Sequence, residues 1–360
     1  MIDEIKLGTK IDENGKPVSG GSEVTLNIDD LFKRRLLVQG ISGSGKSTMI
    51  RKIISDIDEA IDTQKIIIDW EGEFRNLEKS MGFLVVEPKG GDSLFLRSAP
   101  EKLISGGEKW GTQIRQKAES LIIDLSGLKH RVDRELFVGS FIDAILNTEK
   151  KYYHKCVVMI DEAHNLCPQN GKSHSKDSII RLCETGRKRN ILTILATQRL
   201  SEINKNASAQ MANSIIGLTV DLADRERALK FLGLSRNRVE LGEIARLKVG
   251  EFYVAGTSTR RIYSNSSIVS DSCVKIKTEI PKVKEKQNIV VNEKDVLIKK
   301  LKDMIERIKG ESVSNGELEG LLKAEYARGY EDATRMWRDF DKHGFSKKSF
   351  LTRVREKIFE

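Results

Sequence analysis

The chain has 360 residues, of which 39% are hydrophobic and 32% charged, and a formal net charge of +9. That is enough for one large domain with an appendage, or for two ordinary domains, each with a sizeable core. With 5 prolines, no low-complexity tract and no apolar run near the roughly 20 residues of a membrane span, wholesale disorder and membrane insertion are excluded.

The N-terminus, Met1-Ile2-Asp3-Glu4-Ile5, is acidic where a secretory signal is basic, and no apolar segment follows; the expected location is the cytoplasm. Residues 1–23 carry turn signals at Asn14-Gly15-Lys16-Pro17 and Gly20-Gly21-Ser22, and read as a leader or a short hairpin. From Val24 to Cys273, short apolar runs alternate with helix-period segments, the pattern of parallel strands buried on both faces. Strands are expected at Arg35–Gln39, Lys65–Asp69, Phe83–Glu87, Leu121–Asp124, Val157–Asp161, Leu192–Thr197 and Ser214–Leu218. The fold class is therefore α/β, a mainly parallel sheet with helices on both faces.

Residues 274–292 read as a charged linker, and 293–360 as a helical C-terminal region in three segments, Glu293–Lys309, Glu317–Lys342 and Ser346–Phe359. The first has an apolar stripe of Val296, Ile298, Leu301, Met304, Ile305 and Ile308. Over 274–360 there are 21 basic and 16 acidic residues, hence +5, which fits a solvated appendage or a module that docks a partner or DNA. Cys156, Cys167, Cys183 and Cys273 are spaced by 11, 16 and 90, neither a metal knuckle nor a disulfide scaffold, so free thiols are expected. The basic excess attracts polyanions, but is equally common in proteins that bind none.

The chemistry begins at Gly40-Ile41-Ser42-Gly43-Ser44-Gly45-Lys46-Ser47-Thr48, which fits G-x-x-x-x-G-K-[ST] between an expected strand and a helix over Thr48–Ala60. In such a loop, Gly40, Ser42, Gly43, Ser44, Gly45 and Thr48 bring backbone N–H groups and a helix N-terminus to phosphate, and Lys46 reaches the outer phosphates. Ser47 supplies a hydroxyl to Mg²⁺. ATP and Mg²⁺ are thus the expected ligands. A second strand, Cys156-Val157-Val158-Met159-Ile160, ends in Asp161-Glu162. Asp161 is the candidate metal carboxylate and Glu162 the candidate for orienting the attacking water. An Asp-Glu pair at a strand end also serves as a helix cap, so this reading depends on the phosphate loop.

Residues 24–273 resemble the HerA branch of the FtsK/HerA superfamily of DNA-translocating ATPases, P-loop NTPases of the RecA-like type. Six blocks carry the resemblance: Arg34-Arg35-Leu36-Leu37-Val38 before the phosphate loop, Ile68-Asp69-Trp70-Glu71-Gly72-Glu73-Phe74, Ile123-Asp124-Leu125-Ser126-Gly127-Leu128, Asp161-Glu162-Ala163-His164-Asn165, Glu184-Thr185-Gly186-Arg187-Lys188-Arg189, and Ala196-Thr197-Gln198-Arg199. The resemblance implies that Gln198 is a polar sensor of γ-phosphate or water. It implies that Arg187, on a helix expected over Lys176–Lys188, is an arginine finger inserted into the neighbouring subunit; a basic helix end that offsets the dipole is the competing reading. Arg34 is implied as a further nucleotide contact.

The implied activity is an ATP-driven ring, a homo-oligomer and in particular a hexamer, that translocates double-stranded DNA and works with a nuclease or other effector. The alternatives are a nucleotide-gated assembly ATPase holding an antiviral effector, and a peripheral secretion or conjugation ATPase. Three departures stand out. The residues before Val24 are too few for the family's N-terminal β-barrel. The family's helical insertion is reduced to Leu94–Lys117, with Gly106-Gly107 expected to interrupt it. The acidic pair is Asp161-Glu162 rather than two glutamates. His164 and His174 lack the spacing of a zinc site. Trp70 reads as packing or as a nucleotide-edge contact, and Lys205 as a DNA-facing or an ordinary surface residue.

Overall fold

The computed structural model describes residues 4–12, 14–18, 23–88, 99–234, 241–256, 258–262, 268–269 and 273–278. The linker from 279 onward and the helical region expected over 293–360 lie outside the described residues.

Among the described residues, thirteen strands form one sheet. In chain order they are β1 (Glu4–Lys10), β2 (Glu23–Asn27), β3 (Leu36–Gln39), β4 (Gln64–Asp69), β5 (Leu84–Val86), β6 (Leu121–Asp124), β7 (Cys156–Ile160), β8 (Ile191–Thr197), β9 (Asn213–Ile216), β10 (Glu251–Gly256), β11 (Thr259–Ile262), β12 (Ile268–Val269) and β13 (Cys273–Lys277). Across the sheet the order is β12-β11-β2-β1-β13-β10-β9-β3-β8-β7-β4-β6-β5. From β9 to β5 all neighbours are parallel. From β9 to β12 all are antiparallel.

The parallel half matches the strands read from the sequence, and its members β3, β4, β7 and β8 are buried along their whole length. Such strands are unbroken apolar runs because helices cover both faces. Alternate residues divide accordingly: Ile66 and Ile68 of β4 point into one core, and Ile67 into the other. Helix Lys46–Ala60 packs on the second core through Met49, Ile50, Ile53, Ile54 and Ile57, an i, i+4 stripe. Each of these buried side chains contributes about 2 kcal/mol. Helices Pro100–Lys117, Arg131–Leu146 and Lys176–Thr185 cover the first core.

Three expectations change. Residues 4–10, read as part of a leader or a short hairpin, are β1, paired antiparallel with β2 as in a hairpin and also with β13, and 274–277, read as linker, belong to β13. Gly106-Gly107 does not interrupt helix Pro100–Lys117. A Cβ on Gly107 would lie 2.5 Å from the Phe137 carbonyl oxygen, and one on Gly111 2.5 Å from that of Phe141. These glycines let two helix backbones touch, and that packing outweighs their poor helix propensity.

Candidate nucleotide-binding site

In an open parallel sheet ligands bind beyond the carboxyl ends of the strands, and the strand ends of β3, β4, β7 and β8 converge there. β3 runs into the loop 40–45, which is pinned by Gly40 N–H to the Thr197 carbonyl (3.2 Å), Ile41 N–H to the Leu218 carbonyl (2.9 Å), and Gly250 N–H to the Ser44 carbonyl (2.9 Å). Gly45, the residue before helix Lys46–Ala60, has φ +96°, a conformation open to glycine, and a Cβ there would crowd the Gly250 amide at 3.3 Å. The first N–H groups of that helix, from Lys46, Ser47 and Thr48, have no carbonyl one turn earlier to accept them. Ser44 Oγ is buried with no partner among the described residues.

Lys46 is buried and shared between two carboxylates: its Nζ donates to Asp161 Oδ1 at 2.9 Å and to Glu162 Oε1 at 2.6 Å. Burial alone would lower the Lys46 pKa, but the two carboxylates raise it above the usual lysine value. Burial pushes Asp161 up to about 6 against the pull of Lys46. Burial acts the same way on Glu162 but is outweighed, chiefly by hydrogen bonding from His164 and the charge of Lys46, which hold it at about 2. Glu162 has φ 43° and ψ 47°, a left-handed conformation that costs a non-glycine residue about 1–2 kcal/mol and turns its side chain back toward the loop. Its Oε2 accepts the Gln198 backbone N–H at 3.0 Å and lies 3.2 Å from His164 Nδ1, which is itself 3.0 Å from Thr197 Oγ1. The Gln198 side chain crosses to the phosphate loop, where its Oε1 accepts the Ser42 N–H at 3.2 Å. The structure thus brings Lys46, Ser47, Asp161, Glu162 and Gln198 together around the loop.

The donor set nearest Lys46, a serine hydroxyl and carboxylate oxygens, suits a hard cation. Among the described residues no group of three or more His, Cys, Asp or Glu side chains forms a ready-made metal cage. Mg²⁺ fits this arrangement because it takes one or two protein ligands and completes its shell with phosphate and water.

Arg187 and Arg34 are not brought to the site of their own chain. Arg187 lies in the 3₁₀ turn Gly186–Arg189 that leads into β8, whereas Gln198 follows β8. The seven residues of β8 separate the two ends by about 23 Å at 3.3 Å per residue. Arg34 likewise precedes β3 while the phosphate loop follows it, and both arginines are exposed. Arg35, next to Arg34, is buried and donates to the Glu184 carbonyl at 2.9 Å, so the two basic segments meet at the amino ends of the strands. Trp70 is packed under the Arg134 guanidinium at 4.2 Å, a structural contact. Lys205 is exposed and opens the short helix Lys205–Ser208, capped by the Asn204 side chain. His174 donates its backbone N–H to Glu135.

Sequence reasoning missed two residues of the site. His164 lies against Glu162 through Nδ1. Glu73 accepts a hydrogen bond from the Ser47 hydroxyl; its signal was its place in Gly72-Glu73-Phe74, but its partner lies 26 positions away.

Residues 5–235, more than half of the chain, match the family model described as the central domain of the helicase HerA. The DNA double-strand break repair helicase HerA of Sulfurisphaera tokodaii is 28% identical over 148 residues, covering 39% of this chain and 29% of that protein. A probable helicase of Methanocaldococcus jannaschii is 31% identical over 134 residues, 34% of this chain and 25% of its own length. The matched part therefore spans less than a third of either relative. VirB4 of Thermoanaerobacter pseudethanolicus shares the fold, with a TM-score of 0.52 and 15% identity over 78% of this chain and 98% of that one. The chain belongs to the HerA central-domain family, P-loop NTPases of the FtsK/HerA superfamily.

Proposed function

We propose that the chain is an Mg²⁺-dependent ATPase that acts as a ring motor on double-stranded DNA, with hydrolysis at subunit interfaces. The observation that carries the ATPase part is the contact of Lys46 Nζ with both Asp161 and Glu162 at 2.9 and 2.6 Å, beside Ser47. On this reading Lys46 leaves the carboxylates for the β- and γ-phosphates, and the loop N–H groups hold the same oxygens. Ser47 and Asp161 would hold Mg²⁺, which neutralises charge on the phosphates when bound. Glu162 orients the attacking water, and the Gln198 backbone N–H and His164 keep its carboxylate aimed. Gln198 links the Ser42 amide to the end of β8, so a change at the γ-phosphate reaches the strand that begins at the Arg187 turn.

The exposure of Arg187 and its distance from the phosphate loop of its own chain favour a role in a neighbouring copy. A guanidinium supplied in this way is worth about 10³ to 10⁵ in rate and makes turnover depend on assembly. The DNA substrate is carried by the name of the HerA relative, helped by the net charge of +9; the hexamer and an effector partner rest on the resemblance read from the sequence. We read the described residues between 4 and 277, whose strands share one sheet, as one ATPase domain, and 293–360 as a module for an effector.

The test is steady-state ATP hydrolysis with and without long double-stranded DNA, at two salt concentrations, with particle mass measured in parallel. We expect Mg²⁺-dependent turnover in a hexamer-sized particle, stimulated by DNA less strongly at high salt, with Glu162→Gln reduced to background. Near-normal turnover in Glu162→Gln would overturn the role of that residue. Hydrolysis indifferent to DNA would replace the motor with an ATPase ring that gates an effector.

A further inference from the structure

Glu73 is held in place with more contacts than an exposed acidic side chain requires. It lies four residues beyond Asp69, the last residue of β4, and Asp69 is completely buried. Both Asp69 oxygens are spent on the next turn of chain: Oδ1 accepts the N–H groups of Gly72 at 2.9 Å and Glu73 at 3.1 Å, and Oδ2 that of Phe74 at 2.8 Å. Burial raises the pKa of Asp69, and these three backbone donors work against it. Gly72 turns with φ +82°, and a Cβ there would sit 3.2 Å from Ser126 Oγ and 3.3 Å from an Asp124 oxygen. Phe74 is buried in the core beneath helix Lys46–Ala60.

The same helix grips the turn from its other side. Arg51 donates to the Glu73 carbonyl at 2.6 Å, and its guanidinium lies over the Phe74 ring at 5.3 Å. Ser47 is one helical turn before Arg51, on the same face, and its hydroxyl donates to Glu73 Oε2. The buried aspartate, the glycine turn and the arginine therefore all fix the backbone from which Glu73 reaches the serine.

A serine hydroxyl has one proton and two lone pairs. If it faces a cation, its lone pairs must point at the cation and its proton must go to an acceptor elsewhere. Glu73 is that acceptor. We propose that Glu73 is a positioning residue for the magnesium site: it accepts the Ser47 hydroxyl proton in a hydrogen bond and so fixes the hydroxyl with a lone pair free for Mg²⁺. This rests on the nucleotide-site reading above and adds to it a carboxylate that acts through Ser47. Groups of this kind, one bond removed from a metal ligand, typically change metal affinity by about 10- to 100-fold when removed.

The experiment measures binding, not turnover. A fluorescent ATP analogue is titrated into the full chain in EDTA, and Mg²⁺ is then titrated into the saturated complex; the proteins are wild type, Glu73→Ala, Ser47→Ala, the double variant, and Glu71→Ala as a charge control. We expect Glu73→Ala to weaken apparent Mg²⁺ affinity about 10- to 100-fold while nucleotide affinity in EDTA stays within about twofold. We expect Glu71→Ala to match wild type, and the double variant to be no weaker than Ser47→Ala by more than about twofold, because Glu73 acts through that hydroxyl. Unchanged Mg²⁺ affinity in Glu73→Ala overturns the proposal, and so do losses that multiply in the double variant. Failure of the wild-type chain to bind the analogue in either condition overturns the nucleotide-site reading itself, before any variant is compared.

Discussion

Arg115 is the largest fully buried side chain of the described residues, and its hydrogen bonds go to neutral acceptors: Gln64 Oε1 and the carbonyls of His154 and Arg189, each at 3.0 Å. Burial lowers its pKa, yet a guanidinium stays charged throughout the ordinary pH range. Its bond to Arg189 holds the turn that carries Arg187, and Arg189 in turn donates to the Leu146 carbonyl at 2.5 Å. Arg115→Met keeps an unbranched stem but removes the guanidinium, leaving the His154 and Arg189 carbonyls and Gln64 Oε1 without that donor, so we expect a loss of about 2–3 kcal/mol, read as a lower urea midpoint. An unchanged midpoint would mean that the carbonyls find other donors. At this scale the phosphate loop and Asp161-Glu162 were legible because their chemistry is written in consecutive residues. Arg115, Glu73 and His164 were not, since a polar side chain reads as solvated until its distant partners are known.

Helix Pro100–Lys117 shows how packing overrides propensity at the scale of an element. Its three glycines are not equivalent. A Cβ on Gly106 would meet the Phe137 ring at an ordinary 3.5 Å, whereas one on Gly107 would meet Ser140 Oγ at 2.1 Å and the Phe137 carbonyl oxygen at 2.5 Å. We expect Gly106→Ala to stabilise the protein by up to about 1 kcal/mol through helix propensity, and Gly107→Ala to destabilise it by about 1–3 kcal/mol through forced separation of the helices. Paired thermal melts check both signs; equal effects would mean that the helices cross elsewhere. The parallel strands were legible for a related reason: a strand buried on both faces must be apolar throughout, so β3, β4, β7 and β8 stand out. β1 and β13 did not, because only alternate residues are buried, Ile5 with Leu7 and Val274 with Ile276, among lysines that read as linker.

The molecule as a whole carries its own reporters of unfolding. Cys156, Cys167 and Cys183 are buried between sheet and helices, and none is in a disulfide. Burial pushes the Cys156 thiol up to about 11 and Cys167 to about 12, and Cys183 is raised as well. Alkylation needs an exposed thiolate, so at pH 8 the native protein should leave these three unlabelled, and all should react once urea passes the midpoint. Labelling of any of them in the native protein at the rate of a free thiol would mean that its layer opens locally.

β1 is paired on one side with β2 and on the other with β13, and the Thr278 hydroxyl donates to the Leu7 carbonyl at 2.6 Å. β1 therefore has a neighbour made some 270 residues later. At synthesis rates of about 5–20 residues per second, Ile5 and Leu7 wait roughly 15–50 seconds for β13. During that interval the nascent sheet has a raw edge, which is a template for pairing with another chain. Release of a chain that stops short of Cys273 would make that edge permanent, so truncated products should aggregate even though every residue of the phosphate loop has already been translated.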